Sequence, residues 1–223
     1  MGYSRDANLV SIVIPAYNSA SYIGECIDSL LTQTYADIEL VVVDDGSTDE
    51  TGIIMQRYRS DHRVLYVRLP RNVGFSGAVT TGLFMTKGEF IAMQDSDDIS
   101  HPKRIEKQVR FLREHPNVDL VGTNYATFPT GDFGNQEVAN WIGYGGDIEK
   151  IYRSGGHCVC YGTILFRAYW FDRCGGMTRR VDGAEDYEFI VKFFAQGARI
   201  ENIPKVLYYY RDHPLQRSKE FYQ

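Results

Sequence analysis

No apolar run in this 223-residue sequence approaches the roughly 20 residues that a membrane-spanning helix needs. Met1 to Asn8 is polar, and the apolar run after it is too short for the core of a secretory leader, so a cytoplasmic protein is expected. Basic residues are in the minority, 24 Lys and Arg against 29 Asp and Glu. Nothing offers the basic stretch that neutralises a phosphate backbone, which argues against nucleic acid as a partner. The cysteines are Cys26, Cys158, Cys160 and Cys174. One residue separates the middle two, a spacing that suits neither tetrahedral zinc nor a redox pair, and reduced, mostly buried thiols are expected. Glycine is missing where a dinucleotide fingerprint would need it, because Pro15, Ala16, Tyr17 and Asn18 follow the first apolar run. Neither a G-x-x-x-x-G-K-S/T phosphate loop nor a G-x-S-x-G elbow occurs, so P-loop and α/β-hydrolase chemistry are excluded.

What is present alternates between short apolar runs and helical patterns. Leu9 to Ile14, Ile38 to Val43, Val64 to Val67, Phe90 to Met93 and Val118 to Gly122 read as strands. Between them, helices are expected over 21–32, 48–59, 76–86 and from Pro102 to before Pro116, with Ser47 and Glu50 as a capping box and Ser100 or His101 as a cap. The strands are apolar on both faces, the signature of a mainly parallel sheet covered by helices on each side. The later half is less regular. A loop spans about 128–146, with a helix near 147–153, a strand at 162–166 and a turn at 171–177. A helix at 185–194 and strands at 200–203 and 206–210 complete it. No repeat or linker divides the chain, so one domain is expected.

The organising stretch is the fourth strand, which ends in Asp95, Asp97 and Asp98. Crowded carboxylates are costly unless solvated or neutralised. One reading is a hydrated acidic loop; the other is a site for Mg²⁺ or Mn²⁺, hard cations that take oxygen ligands. Tyr17 with Asn18, Asp44 with Asp45, and Asp95 to Asp98 all fall at strand carboxyl ends, the edge where wound sheets bind ligands. Three clusters at one edge favour a site over three accidental loops.

Taken together, the motifs at 10–18, 43–49, 72–74, 95–97, 183–186 and 210–213 resemble those of the inverting family-2 glycosyltransferases. The resemblance spans nearly the whole chain and implies a GT-A nucleotide-diphospho-sugar transferase fold, a three-layer α/β/α arrangement with a mainly parallel, doubly wound sheet. It assigns about 9–123 to the nucleotide-sugar half and about 124–223 to the acceptor side. Tyr17 resembles the aromatic that stacks on the donor base, with Pro15 and Ala16 lining its pocket, and the plain alternative is a rim aromatic. Asp45 resembles the acid that accepts a hydrogen bond from a uracil-like N–H; Asp44 reads as structural. Asn72 and Gly74 resemble the loop beside the nucleotide. Asp95, Ser96 and Asp97 match the D-x-D motif, Asp95 for the ribose and Asp97 for Mg²⁺ or Mn²⁺ on the donor phosphates. Asp98 receives no chemical role.

The same resemblance makes Asp186 the general base, with Glu185 positioning the acceptor or simply capping its helix. His213 either completes the metal shell or is a surface histidine. Many relatives carry Arg-Asn where Val79 and Thr80 stand, which leaves a cationic donor contact missing or supplied by Arg71. The Q-x-x-R-W motif of processive synthases is absent, which favours transfer of a single sugar. The expected function is metal-dependent transfer from a nucleotide-diphosphate sugar, UDP-linked by family habit, to a hydroxyl of a glycan or lipid-linked acceptor. Cell-surface polysaccharide or glycolipid synthesis is the expected setting, with peripheral association at the inner membrane face left open. A non-catalytic sugar-nucleotide or glycan-binding module and a sugar nucleotidyltransferase are the alternatives. The second would want a Gly-rich loop with Arg and Lys after the first strand, which this chain lacks.

Overall fold

The computed structural model describes residues 4–178 and 183–221. Strand β1 (Asp6–Ala16) leads into α1 (Ile23–Leu31), β2 (Ile38–Asp44), α2 (Thr51–Met55), β3 (Val64–Arg68), α3 (Phe75–Met85), β4 (Gly88–Met93) and the short β5 (Ile99–Ser100). There follow α4 (Arg104–Glu114), β6 (Leu120–Pro129), β7 (Glu137–Val138), α5 (Gly146–Arg153), β8 (Leu165–Arg167), α6 (Tyr169–Cys174), α7 (Glu185–Ala195), β9 (Ile200–Asp212) and α8 (Ser218–Phe221). The strands join in the order β3-β2-β1-β4-β8-β6-β9-β5, with β7 paired to β6.

The sheet is covered on both faces because alternate residues of its central strands point opposite ways. Ile12, Ile14, Leu40 and Val42 face one way, onto Ile23, Ile27 and Leu30 of α1 and Ile105, Val109 and Leu112 of α4. Val13, Ile91 and Met93 face the other way, onto Val79 and Leu83 of α3 and Phe189, Ile190 and Phe193 of α7. Each of these side chains is buried. Parallel register sets Ala16 beside Asp44 and Val13 beside Met93, so β1, β2 and β4 end at one rim.

The first four strands of the path run parallel, as their apolar patterns imply. Beyond them the sheet becomes mixed. Strand β8 enters antiparallel between β4 and β6, so the fifth strand of the sequence pattern is not the spatial neighbour of the fourth. Two expected strands near the carboxyl end are one, β9. Its parallel ladder with β6 skips from Ile203 to Val206, a bulge that accommodates Pro204, which has no N–H to give. The segment expected as a turn at 171–177 contains most of α6.

The expected capping box does not form. Ser47 Oγ accepts the Asn18 N–H at 3.0 Å instead, and Asp49 Oδ1 takes the Thr51 N–H at 3.0 Å. The helix therefore starts at Thr51 and tightens into a 3₁₀ turn at Gln56–Tyr58. Ser100 is likewise spent elsewhere, donating to Gln94 Oε1 at 2.7 Å. His101 Nδ1 accepts the Lys103 N–H at 3.0 Å, just outside α4.

One buried cation ties the acidic rim to the scaffold. Arg104 is fully buried and donates to Gln94 Oε1 (2.8 Å), Ser100 Oγ (3.0 Å), Gln108 Oε1 (3.1 Å) and the Met93 carbonyl (2.7 Å). Its guanidinium lies 5.1 Å from the Tyr208 ring centroid. Burial pulls its pKa down to about 10, so it remains charged at neutral pH. Arg104→Met is expected to lose about 2–4 kcal/mol of unfolding free energy in urea, because several buried acceptors lose their donor together. A loss under about 0.5 kcal/mol would show that this network does not hold the rim.

Candidate active site

The strand ends deliver their loops to one cavity of about 690 Å³, within the ~300–1,000 Å³ range of small-molecule clefts. All twelve residues singled out for donor, metal, acceptor and base roles line it: Pro15, Ala16, Tyr17, Asp45, Asn72, Gly74, Asp95, Ser96, Asp97, Glu185, Asp186 and His213. They come from six separate stretches of sequence, so their meeting is a property of the fold.

Hydrogen bonds fix the loop after β1. Asn18 takes a left-handed φ of 50°, and its Oδ1 accepts the Thr48 N–H at 2.8 Å. Ser19 and Ser96 hydroxyls meet at 2.7 Å, joining this loop to the acidic one. Tyr17 stands at the cavity rim with 49% of its surface exposed.

The two acids after β2 divide as their sequence positions suggest. Asp44 is fully buried, accepts the Ser47 N–H at 2.7 Å and the Tyr66 hydroxyl at 2.5 Å, and so holds the turn. Asp45 accepts the Val73 N–H at 2.7 Å and the Gly74 N–H at 2.9 Å, clamping the loop that begins α3. Gly46, at φ 74°, passes so close to Arg71 that a Cβ would lie 2.7 Å from its carbonyl carbon.

The acidic loop after β4 carries more negative charge than its surroundings favour. Burial, then the charge of Asp97, pushes the Asp95 carboxyl up to about 7. Tyr208 donates its hydroxyl to Asp95 Oδ2 at 3.4 Å, and Gly162 packs so tightly here that a Cβ would fall 2.6 Å from that oxygen. Asp98 accepts the Arg211 N–H at 2.7 Å with Oδ1, while its buried Oδ2 has no partner among the described residues. Burial, with Asp97 and Asp95 beside it, drives its pKa well up. Its place is under the loop, in keeping with the absence of a chemical role.

Asp97 Oδ2 lies 2.9 Å from His213 Nε2. The imidazole is buried, packed 4.4 Å from the Tyr22 ring, and its Nδ1 has no partner among the described residues. A carboxylate oxygen and an imidazole nitrogen converging beside two further acids are a donor set suited to a divalent cation. Among the described residues no group of three or more His, Cys, Asp or Glu side chains is arranged to hold a metal.

Asp186, in the first turn of α7, lines the same cavity. Its Oδ1 accepts the Tyr187 N–H at 2.7 Å, and its Oδ2 lies 3.6 Å from His157 Nε2. Burial alone would raise its pKa, but nearby His157 and the Tyr187 N–H together hold it below the usual carboxylate range. Glu185 is buried; it accepts the Gly183 N–H at 2.9 Å and pairs with Arg217. It is part of the wall rather than a carboxylate standing in the cavity.

Arg71 does not line the cavity, whereas Arg217 does, with its guanidinium 5.2 Å from the Phe75 ring centroid. Val79 is in the core and Thr80 Oγ1 accepts the Met177 N–H at 3.1 Å, so these two positions serve packing against the loop after α6. Tyr22, Cys160, Tyr161, Gly162 and Tyr210 also line the cavity. Arg217 lies past the last recognisable motif; Tyr210 opens the 210–213 motif, which gave it no role of its own; and the others lie in irregular stretches or in periodic elements whose register only tertiary pairing sets.

Comparison with known proteins agrees with this geometry. The profile of glycosyl transferase family 2 matches residues 11–175. A Rickettsia prowazekii protein described as an uncharacterized glycosyltransferase is 42% identical over 83% of this chain and 58% of its own length. The chondroitin synthase of Escherichia coli is 31% identical over 90% of this chain but 28% of its own. The chain thus spans less than two thirds of both. Among solved structures, S. aureus TarS residues 1–349 in complex with UDP-GlcNAc superimposes with a TM-score of 0.80 at 25% identity, covering 96% of this chain and 62% of that one. A Pyrobaculum calidifontis mannosyltransferase bound to GDP-Man and Mn²⁺ shares the fold, with a TM-score of 0.69 at 24% identity over 93% of this chain and 57% of that one.

Proposed function

Because the chain belongs to glycosyl transferase family 2, we propose that it moves a single sugar, with inversion, from a nucleotide-diphosphate donor to a hydroxyl of a glycan or lipid-linked acceptor. The observation that carries the reading is the convergence of Tyr17, Asp97 and Asp186 on one cavity large enough for such a donor. UDP is the favoured nucleotide, on the likeness to TarS, which is solved with UDP-GlcNAc and with UDP. Polysaccharide synthesis is the favoured setting, on the likeness to chondroitin synthase. Among the described residues no helix is long and apolar enough to cross a membrane.

Tyr17 stacks on the base, and Asp45 faces its imide N–H while keeping the 72–74 loop in place. Asp95 accepts from the ribose, and Asn72 and Gly74 border the nucleotide. Asp97 and His213 would hold a divalent cation, Mn²⁺ or Mg²⁺, which when bound supplies Lewis-acid neutralisation of the leaving diphosphate. Arg217 adds a second positive charge in the same cavity. The acceptor oxygen attacks the anomeric carbon from the face opposite the diphosphate, and the bond to the diphosphate oxygen breaks. The acceptor's proton passes to Asp186, which is ionised at neutral pH and so able to take it. On this reading residues up to about 123 serve the donor and the later ones the acceptor side, within one domain.

Mn²⁺-stimulated release of UDP from a panel of UDP-sugars tests this directly and separates an enzyme from a binding module. Release is expected; binding of UDP with no release from any nucleotide sugar would contradict it. Tyr17→Ala is expected to weaken UDP binding about tenfold in calorimetry, the size of one lost base–aromatic stack. Unchanged affinity would return Tyr17 to the status of a rim aromatic.

A further inference from the structure

The wall that carries Asp186 continues outward into aromatic side chains that the reaction above does not use. His157, already 3.6 Å from Asp186, shares a 2.7 Å hydrogen bond between Nδ1 and the Tyr152 hydroxyl. Trp141 stacks on the His157 ring, centroids 5.4 Å apart and planes inclined by 29°. The indole Nε1 donates to the Tyr125 hydroxyl oxygen at 2.9 Å. Tyr125 in turn packs at 5.8 Å against Tyr210, which lines the cavity. Stack and hydrogen bond together fix the orientation of an indole that leaves 38% of its residue surface exposed, whereas Trp170 leaves 4%.

A single exposed apolar side chain is ordinary. An exposed indole whose rotamer is already locked is different, because little entropy is lost when something stacks on it, and such anchors dominate recognition surfaces. Here the locked ring is also continuous with the reaction site, since one imidazole separates it from the Asp186 carboxylate. We propose that Trp141 is the stacking platform of an acceptor subsite, taking the C–H face of a neutral pyranose while a hydroxyl of the acceptor meets Asp186. The inference rests on the transferase reading above. Sugar C–H groups carry slight positive charge and suit the negative face of an aromatic ring. The carboxylate at the inner end of the platform disfavours an anionic sugar or a phosphate there. His157 has two roles in this arrangement: it supports the indole from behind and faces the base from the side.

The test uses the full chain with UDP and Mn²⁺ and a panel of neutral methyl glycosides and disaccharides. Binding is followed by saturation-transfer NMR and tryptophan emission. At least one sugar is expected to receive saturation on its ring C–H protons and to change the emission. Trp141→Ala should weaken that binding about tenfold or more, while Trp141→Phe keeps most of it. All three proteins should bind UDP equally in calorimetry, which also checks that each is folded. The proposal is overturned if no neutral sugar binds the native chain, if Trp141→Ala binds as well as native, or if phosphorylated sugars bind in preference. Failure of the transferase reading looks different: no nucleotide sugar would release UDP, and the effect of Trp141→Ala on sugar binding would still decide the platform.

Discussion

Asp186→Asn is expected to bind UDP as tightly as the native chain and to transfer sugar about 10³-fold more slowly, the share commonly lost with a positioned general base. Asn preserves the shape and the contact with the Tyr187 N–H but cannot accept the acceptor's proton. Near-native turnover would remove Asp186 from the mechanism. The pH profile supplies a second signature. With a folded pKa below its unfolded value of about 3.9, the ionised carboxylate stabilises the fold above that pH, and this is lost as pH falls through the folded value. The part of the acid limb that belongs to Asp186 should therefore lie below the usual carboxylate range, apart from any titration of Asp95 nearer neutrality. His157→Ala removes the contribution that lowers this pKa and should move the acid limb to higher pH. A limb that stays in place would mean that His157 does not tune the base.

Asp97→Ala is expected to abolish the Mn²⁺ dependence of donor binding, with UDP affinity in Mn²⁺ falling about 100-fold or more. In chelator, native and variant should bind UDP equally weakly. The contrast is strong because Asp97 is the acid paired with His213, while Asp98 lies beneath the loop with its Oδ1 on the Arg211 N–H. If native affinity is the same with and without chelator, the cation has no part in donor binding. The three acids would then be a hydrated loop.

The parts of the fold written in local pattern were readable from sequence. Near-continuous burial in β1, β2 and β4 and the apolar stripes of α1 and α4 follow from the apolar pattern, and the three-layer core follows from them. The rim of the cavity was readable for the same reason, because Tyr17, Asp45 and Asp97 sit just past strand ends whose register is set by parallel pairing. What failed depended on distant partners. Ser47 did not cap a helix because Asn18, 29 residues away, claimed its hydroxyl. The insertion of β8 between β4 and β6 is invisible in a three-residue strand. Arg217 reaches the cavity only because the chain beyond β9 turns back over it, bringing it to Glu185 and the Phe75 ring. Trp141 lies in a loop with no periodicity, and its orientation depends on Tyr125 and His157 from two other segments.

Crystals of this chain grown with UDP and Mn²⁺ give the most direct test, with the metal located by its anomalous scattering. The base is predicted to lie on Tyr17, the manganese peak against Asp97 and His213, and the diphosphate to end facing Asp186 across the cavity. Nucleotide bound outside the cavity, or manganese away from Asp97, would contradict the account.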